Sequence, residues 1–231
     1  MNKIVLAIHK NRVFFSGFIC MLLPATLFLL IDGNSASFLL LNRFHPFLLN
    51  NFFIAYTFVG NGLFAICLMA IYFFGMKKKQ EALVLLYAFL SSGIIVQIVK
   101  NLFHSPRPKL FFGNHYPSFF INGIQFYYNN SFPSGHTATA FAIATTVVLL
   151  SKNKKIQIPV LLSAVLVAYS RIYLGQHFLL DVLVGSSIGI ICGICCVCFA
   201  THFKKTRRFY RQLFPLKSQS SVTSPGSIQS A

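Results

Sequence analysis

Acidic residues are nearly missing from this chain, which has three of them, Asp32, Glu81 and Asp181, against 20 Lys and Arg. That scarcity excludes a site built on two metal ions, which needs several carboxylates to hold them. Charge of either sign is rare too, at 10% of residues, where a soluble globular domain carries about a quarter. No alternating apolar and polar pattern of the kind a membrane barrel needs runs along the chain, no internal repeat is evident, and no His stands at zinc-like spacing beside the cysteines. Barrel, repeat array and zinc domain are thereby set aside.

What the chain has instead is apolar length. Hydrophobic residues make up 55% of it, the mean hydropathy is +0.67, and the apolar residues come in runs. Six apolar runs, over residues 13–31, 52–75, 82–99, 134–150, 156–170 and 178–200 and free of charge except for Asp181, lie close to the roughly 17 to 25 residues a spanning helix needs. The fifth is the shortest and borrows Arg171 and its neighbours. Backbone polar groups in lipid must be satisfied internally, so the expected fold is all-α, a six-span transmembrane helical bundle. Residues 1–200 form this membrane domain, and 201–231 are a tail, first basic and then rich in Ser, Gln and Pro, too polar to bury a core and expected to be disordered.

The cations give the orientation. Lys3, Lys10 and Arg12 precede the first run, Lys77, Lys78 and Lys79 follow the second, Lys152, Lys154 and Lys155 follow the fourth, and a basic cluster follows the sixth. By the positive-inside rule both termini are cytoplasmic, and the side that keeps only Arg43, Lys100, Arg107, Lys109 and Arg171 faces outward. The net charge of +17 is therefore topological, meeting anionic headgroups, and nucleic acid is not an expected partner. The first apolar run exceeds the usual 7 to 15 residues of a signal-peptide core, so it reads as a retained span. All six cysteines fall inside apolar runs, as small packing residues with no disulfide or metal expected.

Three polar pieces interrupt this pattern. With alternating spans, the connection between the third and fourth and that between the fifth and sixth emerge on one face. The first connection begins with Lys100 and Arg107, separated by six residues, and Pro106 and Pro108 keep the backbone around Arg107 extended, so two long cations can converge on one anion. It ends with Pro133, Ser134, Gly135 and His136: a natural N-cap, a glycine that lets an anion approach the backbone, and a histidine in the first turn beside the positive end of the helix dipole. The second connection carries Arg171, then His177, then Asp181 four residues on. On a helix that spacing lets the carboxylate take one ring nitrogen of His177 and leave the other bare toward the site. Asp181 is the one acid inside an apolar run, where an ionisable group is costly and functional by default.

Together these pieces resemble the three-part motif of the type-2 phosphatidic acid phosphatases, a superfamily shared with the vanadium haloperoxidases. The resemblance rests on Lys100, Arg107 and Pro108; Pro133, Ser134, Gly135 and His136; and Ser170, Arg171, His177 and Asp181. It implies a metal-independent lipid phosphatase without a cofactor. In such enzymes the residue matching His177 is the nucleophile and forms a phosphohistidine, and the one matching Asp181 orients it. The one matching His136 protonates the leaving oxygen. Lys100, Arg107, Arg171, Ser134 and the N–H of Gly135 are expected to hold the phosphate oxygens. Activity should survive a chelator, and the rate should be bell-shaped in pH, because His177 must be neutral and His136 protonated.

Residues 104–132 carry Phe111, Phe112, Tyr116, Phe119, Phe120, Phe126, Tyr127, Tyr128 and Phe132, a loop that either guides a lipid phosphate to the site or only anchors itself at the interface. The resemblance leaves undecaprenyl pyrophosphate, lipid A, phosphatidylglycerol phosphate and phosphatidate open as substrates. The small size and simple layout suggest a bacterial inner membrane, and the cation count puts the site on its periplasmic face. Two rivals stand beside it: a soluble vanadium haloperoxidase, against which the spans argue, and an inactive lipid-phosphate binding or transport protein of the same fold, which would be expected to have lost His177 or Asp181. Oligomeric state is open.

Overall fold

The computed structural model describes the backbone of residues 3–113, 120–121 and 124–213, and side chains between residues 5 and 202 of these. A short helix α1 (Lys3–Lys10) leads into α2 (Arg12–Leu41), followed by α3 (Phe47–Tyr56), a 3-10 turn (Thr57–Gly60), α4 (Gly62–Ala70) and a π turn (Ile71–Gly75). Then come α5 (Lys79–Phe103), α6 (Pro108–Phe112), α7 (Gly135–Leu150), α8 (Gln157–Tyr173) and α9 (Leu179–Leu213). No strand occurs among the described residues. The all-helical fold is the one the apolar runs require.

Each of the six apolar runs is helical, yet their lengths differ from expectation. Four stretches, Arg12–Leu41, Lys79–Phe112, Lys154–Tyr173 and Leu179–His202, are long and apolar enough to cross a bilayer, and a fifth is obtained if Phe47–Gly60 and Gly62–Gly75, bent by 59°, count as one span. The bend has a local cause. Asn61 leaves helical geometry and its side chain caps α4 by accepting from Leu63 N at 2.9 Å. Helix α7 has 16 residues, which at 1.5 Å each reach roughly 24 Å, less than the roughly 30 Å of hydrocarbon.

Helix α7 lies at the centre of the bundle, with residues 137–146 buried throughout. It can sit there because it is narrow, built from Ala and Thr, and because α9 offers it Gly185, Gly189 and Gly193 at four-residue spacing. A Cβ added at Gly185 would stand 2.6 Å from Ser134 O, at Gly189 2.5 Å from Ala138 O, and at Gly193 2.7 Å from Thr145 Cβ. The two backbones thus meet closely along three turns, the small-residue packing by which helices associate in lipid. Around this axis Phe14, Phe18, Phe38, Phe141, Val167 and Ile172 form the apolar core. The outside stays apolar, with Leu30, Leu48, Leu102 and Phe199 exposed, as lipid contact allows and water would not. The six cysteines are free thiols.

Candidate functional site

Arg171 and His177 are set by the way α8 ends. Gly175 takes a left-handed conformation (φ 64°). Gln176 N donates to Arg171 O at 3.0 Å and Gly175 N to Ile172 O at 2.9 Å. This is a Schellman motif, and glycine serves the left-handed position it requires. His177 N also reaches Arg171 O, at 3.2 Å. The five residues between Arg171 and His177 are therefore the last turn of a helix, its termination and one step beyond, which returns the histidine to the level of the arginine. The helix end is pinned from outside: Asn42 Nδ2 donates to Ile172 O at 2.6 Å and to Tyr173 O at 2.8 Å.

His177 and Asp181 are both buried, at 2% and 3% exposure, and His177 Nδ1 lies 3.4 Å from Asp181 Oδ2. The expected pairing is present, but its cause differs. His177 precedes α9, so the two do not share a helical face. Asp181 instead folds back over the entry turn and accepts from Phe178 N at 2.9 Å. Burial lowers the basicity of His177, against the raising effect of its hydrogen bond and charge contact with Asp181. Burial thereby favours the neutral imidazole.

Ser134 is the N-cap of α7, as expected. Its Oγ accepts from Thr137 N at 3.4 Å and Thr137 Oγ1 at 2.9 Å, which leaves its own hydrogen to give. Ser134 N donates to Asp181 O at 2.9 Å, tying the start of α7 to the start of α9. A Cβ at Gly135 would meet only Val96 Cγ1, at an ordinary 3.7 Å, so packing against the protein does not demand a glycine there. Arg171, His177, Arg107 and Lys100 all lie within electrostatic reach of His136, and Lys100 likewise feels Arg107, Asp181 and Arg171. The residues singled out in the sequence are brought to one place.

The cations are held by groups that the sequence motif does not contain. Lys100, in the last turn of α5, donates to Asn130 O. Arg107 is extended (φ −85°, ψ 162°) with Pro108 opening α6, and donates from Nε to Asn129 O at 3.0 Å and from Nη1 to Gln176 O at 3.1 Å. Its guanidinium lies 5.2 Å from the Tyr127 ring centre. Arg171 is 7% exposed; its Nη1 donates to Thr57 Oγ1 at 2.6 Å, and its Nε is buried with no hydrogen-bond partner among the described residues. A buried guanidinium N–H left open is an invitation to an anion.

Thr57, Gln176 and Ser131 were not foreseen. Thr57 could have been noticed as a hydroxyl just before the helix-breaking Gly60, Asn61 and Gly62, and Ser131 as the polar residue between Asn130 and Phe132. The 3-10 turn that presents Thr57 also brings Gly60 against the site, where a Cβ would stand 3.0 Å from His136 O. The aromatic loop divides. Phe112 and Phe120 are buried in the core while Phe111, Tyr127 and Tyr128 are exposed; Tyr116 and Phe119 lie outside the described residues.

A buried histidine and a half-buried one, one carboxylate, three cations and a capped helix N-terminus make a site that can hold a tetrahedral dianion. Comparison with known proteins agrees. The chain is 32% identical over 162 residues to the lipid A 4'-phosphatase of Porphyromonas gingivalis, covering 68% of each chain. It is 31% identical to the undecaprenyl-diphosphatase BcrC of Bacillus subtilis over 56% of this chain and 64% of that one. The crystal structure of a transmembrane PAP2 type phosphatidylglycerolphosphate phosphatase from Bacillus subtilis superposes with a TM-score of 0.61 at 26% identity, over 87% of this chain and 99% of that one. Residues 81–207, which hold every motif residue above, match the PAP2 superfamily, and the chain belongs to that superfamily.

Proposed function

We propose that this protein is an integral-membrane lipid phosphatase that hydrolyses a phosphate monoester or diphosphate of a membrane lipid through a phosphohistidine. The observation that carries the reading is the buried pair of His177 and Asp181 set beside Lys100, Arg107 and Arg171. The three cations and Ser134, with the N–H of Gly135, hold the phosphoryl oxygens. His177 Nε2 attacks phosphorus while Asp181 keeps the proton on Nδ1, and the ester oxygen leaves with a proton from His136. Water, activated by His136, then cleaves the N–P bond and releases phosphate. The cations supply the charge neutralisation, so the reaction is independent of added metal.

The topology follows the same reading. Helix α2, the bent pair α3 and α4, and helices α5, α7, α8 and α9 make six crossings. The short α7 reaches the interface through its flanking residues. Both termini are cytoplasmic, and the site faces the outer side of a bacterial inner membrane. The relatives act on lipid A, an undecaprenyl diphosphate and phosphatidylglycerol phosphate by their names, so the substrate is drawn from this class. Phosphate release by purified protein across a panel of such lipids in micelles, in EDTA and with His177→Ala as the blank, tests the reading. Turnover of at least one lipid in EDTA and none by the variant is expected; unchanged release by the variant, or complete loss in EDTA restored by a divalent ion, contradicts it.

A further inference from the structure

The segment over residues 128–131 runs just before the Pro133 to His136 turn and reaches Arg107, Lys100, Asp181 and His177 through consecutive groups. Tyr128 O accepts from Arg107 N at 2.8 Å, Asn129 O from Arg107 Nε at 3.0 Å, and Asn130 O from Lys100 Nζ. Asn130 is left-handed (φ 56°), a conformation asparagine tolerates. Ser131 then anchors the strap by its own N–H, which donates to Ser105 O at 2.9 Å. Its side chain goes elsewhere. Ser131 is 0% exposed, its Oγ donates to Asp181 Oδ2 at 2.5 Å, and the same Oγ is 3.5 Å from His177 Nδ1.

We propose that Ser131 is a positioning residue for the nucleophile, its hydroxyl fixing Asp181 Oδ2 against His177 Nδ1. The inference rests on the reading of His177 as the nucleophile. Asp181 Oδ2 has three donors: Ser131 Oγ at 2.5 Å, Phe178 N at 2.9 Å and His177 Nδ1 at 3.4 Å. The backbone donor fixes the carboxylate along α9, and the hydroxyl fixes it across the bundle, from the strap. When the N–P bond forms, the imidazole gains positive charge and needs the carboxylate in place at that moment. A carboxylate free to swing would meet the charge late. Ser131 touches neither Lys100, Arg107 nor Arg171 through its side chain, so its hydroxyl serves the chemical step and not phosphate binding.

The test is steady-state kinetics of Ser131→Ala and Ser131→Thr on the lipid the panel identifies, with inhibition by inorganic phosphate and thermal unfolding in detergent measured alongside. Ser131→Ala is expected to lose about tenfold or more in kcat, with KM and the phosphate inhibition constant within about twofold of the parent. Ser131→Thr, which keeps the hydroxyl, is expected to recover part of that loss. A Ser131→Ala protein with parental kcat overturns the proposal, as does a kcat/KM loss carried by KM and weaker phosphate inhibition. If the threonine variant unfolds early, the split between kcat and KM in the alanine variant decides alone. His177→Ala run in parallel separates the two levels: retained activity there defeats the nucleophile reading, whereas an inactive His177→Ala with an unaffected Ser131→Ala defeats only the role of Ser131.

Discussion

His177 combines burial, a neighbouring carboxylate and the nearby charges of Arg107 and Arg171, and each of these acts on the same proton. Burial disfavours the imidazolium, and the hydrogen bond and charge of Asp181 offset this in part. The folded-state value is therefore below that of an unfolded histidine, about 6.5. Between the two values the unfolded chain binds a proton that the folded chain refuses, so stability is full above about pH 6.5 and falls as the pH falls below it. The thermal midpoint in detergent should drop between pH 7 and pH 5, and His177→Gln should flatten that drop; an identical pH slope in parent and variant would show that His177 is not held neutral. In the proposed mechanism the same neutrality lets the residue act as the nucleophile. Its pairing with Asp181 was legible from the spacing, but the physical cause was not, since the pairing depends on Asp181 folding back onto Phe178 N and not on a shared helix face. Thr57 was illegible for another reason: it lies more than forty residues before the motif, and only folding brings it to Arg171.

At the scale of elements, the helices were legible wherever an apolar run was continuous, and the breaks within runs were not. Span two reads as one run in the sequence, but Asn61 caps a new helix inside it, and the break delivers Thr57 and Gly60 to the site. The glycines of α9 went unremarked in an apolar run because glycine there carries no charge or periodic polarity to draw notice. They decide how close α7 and α9 come, and so where Ser134 and Asp181 meet. Gly189→Ala would drive a methyl group to 2.5 Å from Ala138 O, 2.7 Å from Phe141 Cβ and 2.8 Å from Ala142 N, two of them backbone atoms that cannot rotate away. Such overpacking costs about 1–3 kcal/mol, so a lower thermal midpoint in detergent is expected. Gly93→Ala, whose Cβ meets nothing within 4 Å, should leave the midpoint unchanged; equal behaviour of the two variants would refute the close packing.

The whole molecule is a helical bundle whose polar chemistry is concentrated where loops and helix ends converge. Three helix termini meet there: the last turn of α5 with Lys100, the capped start of α7 with Ser134, and the Schellman end of α8 with Arg171, leading to α9 with Asp181. A short connection joins the third to α9, the bond from Ser134 N to Asp181 O ties the second to it, and the strap before Pro133 holds the first. The all-helical class and the motif residues could be read from the chain because lipid enforces the one and chemistry the other. Span lengths and supporting residues could not, because they follow from packing between distant segments. The central claim is that phosphate passes through His177. The most direct measurement is to mix the detergent-purified protein with a lipid bearing radiolabelled phosphate, quench in alkali, where phosphohistidine survives, and map the label. The account predicts transient label on the peptide containing His177, chased by water and absent from His177→Ala; label elsewhere, or turnover with no labelled protein at any quench time, would contradict it.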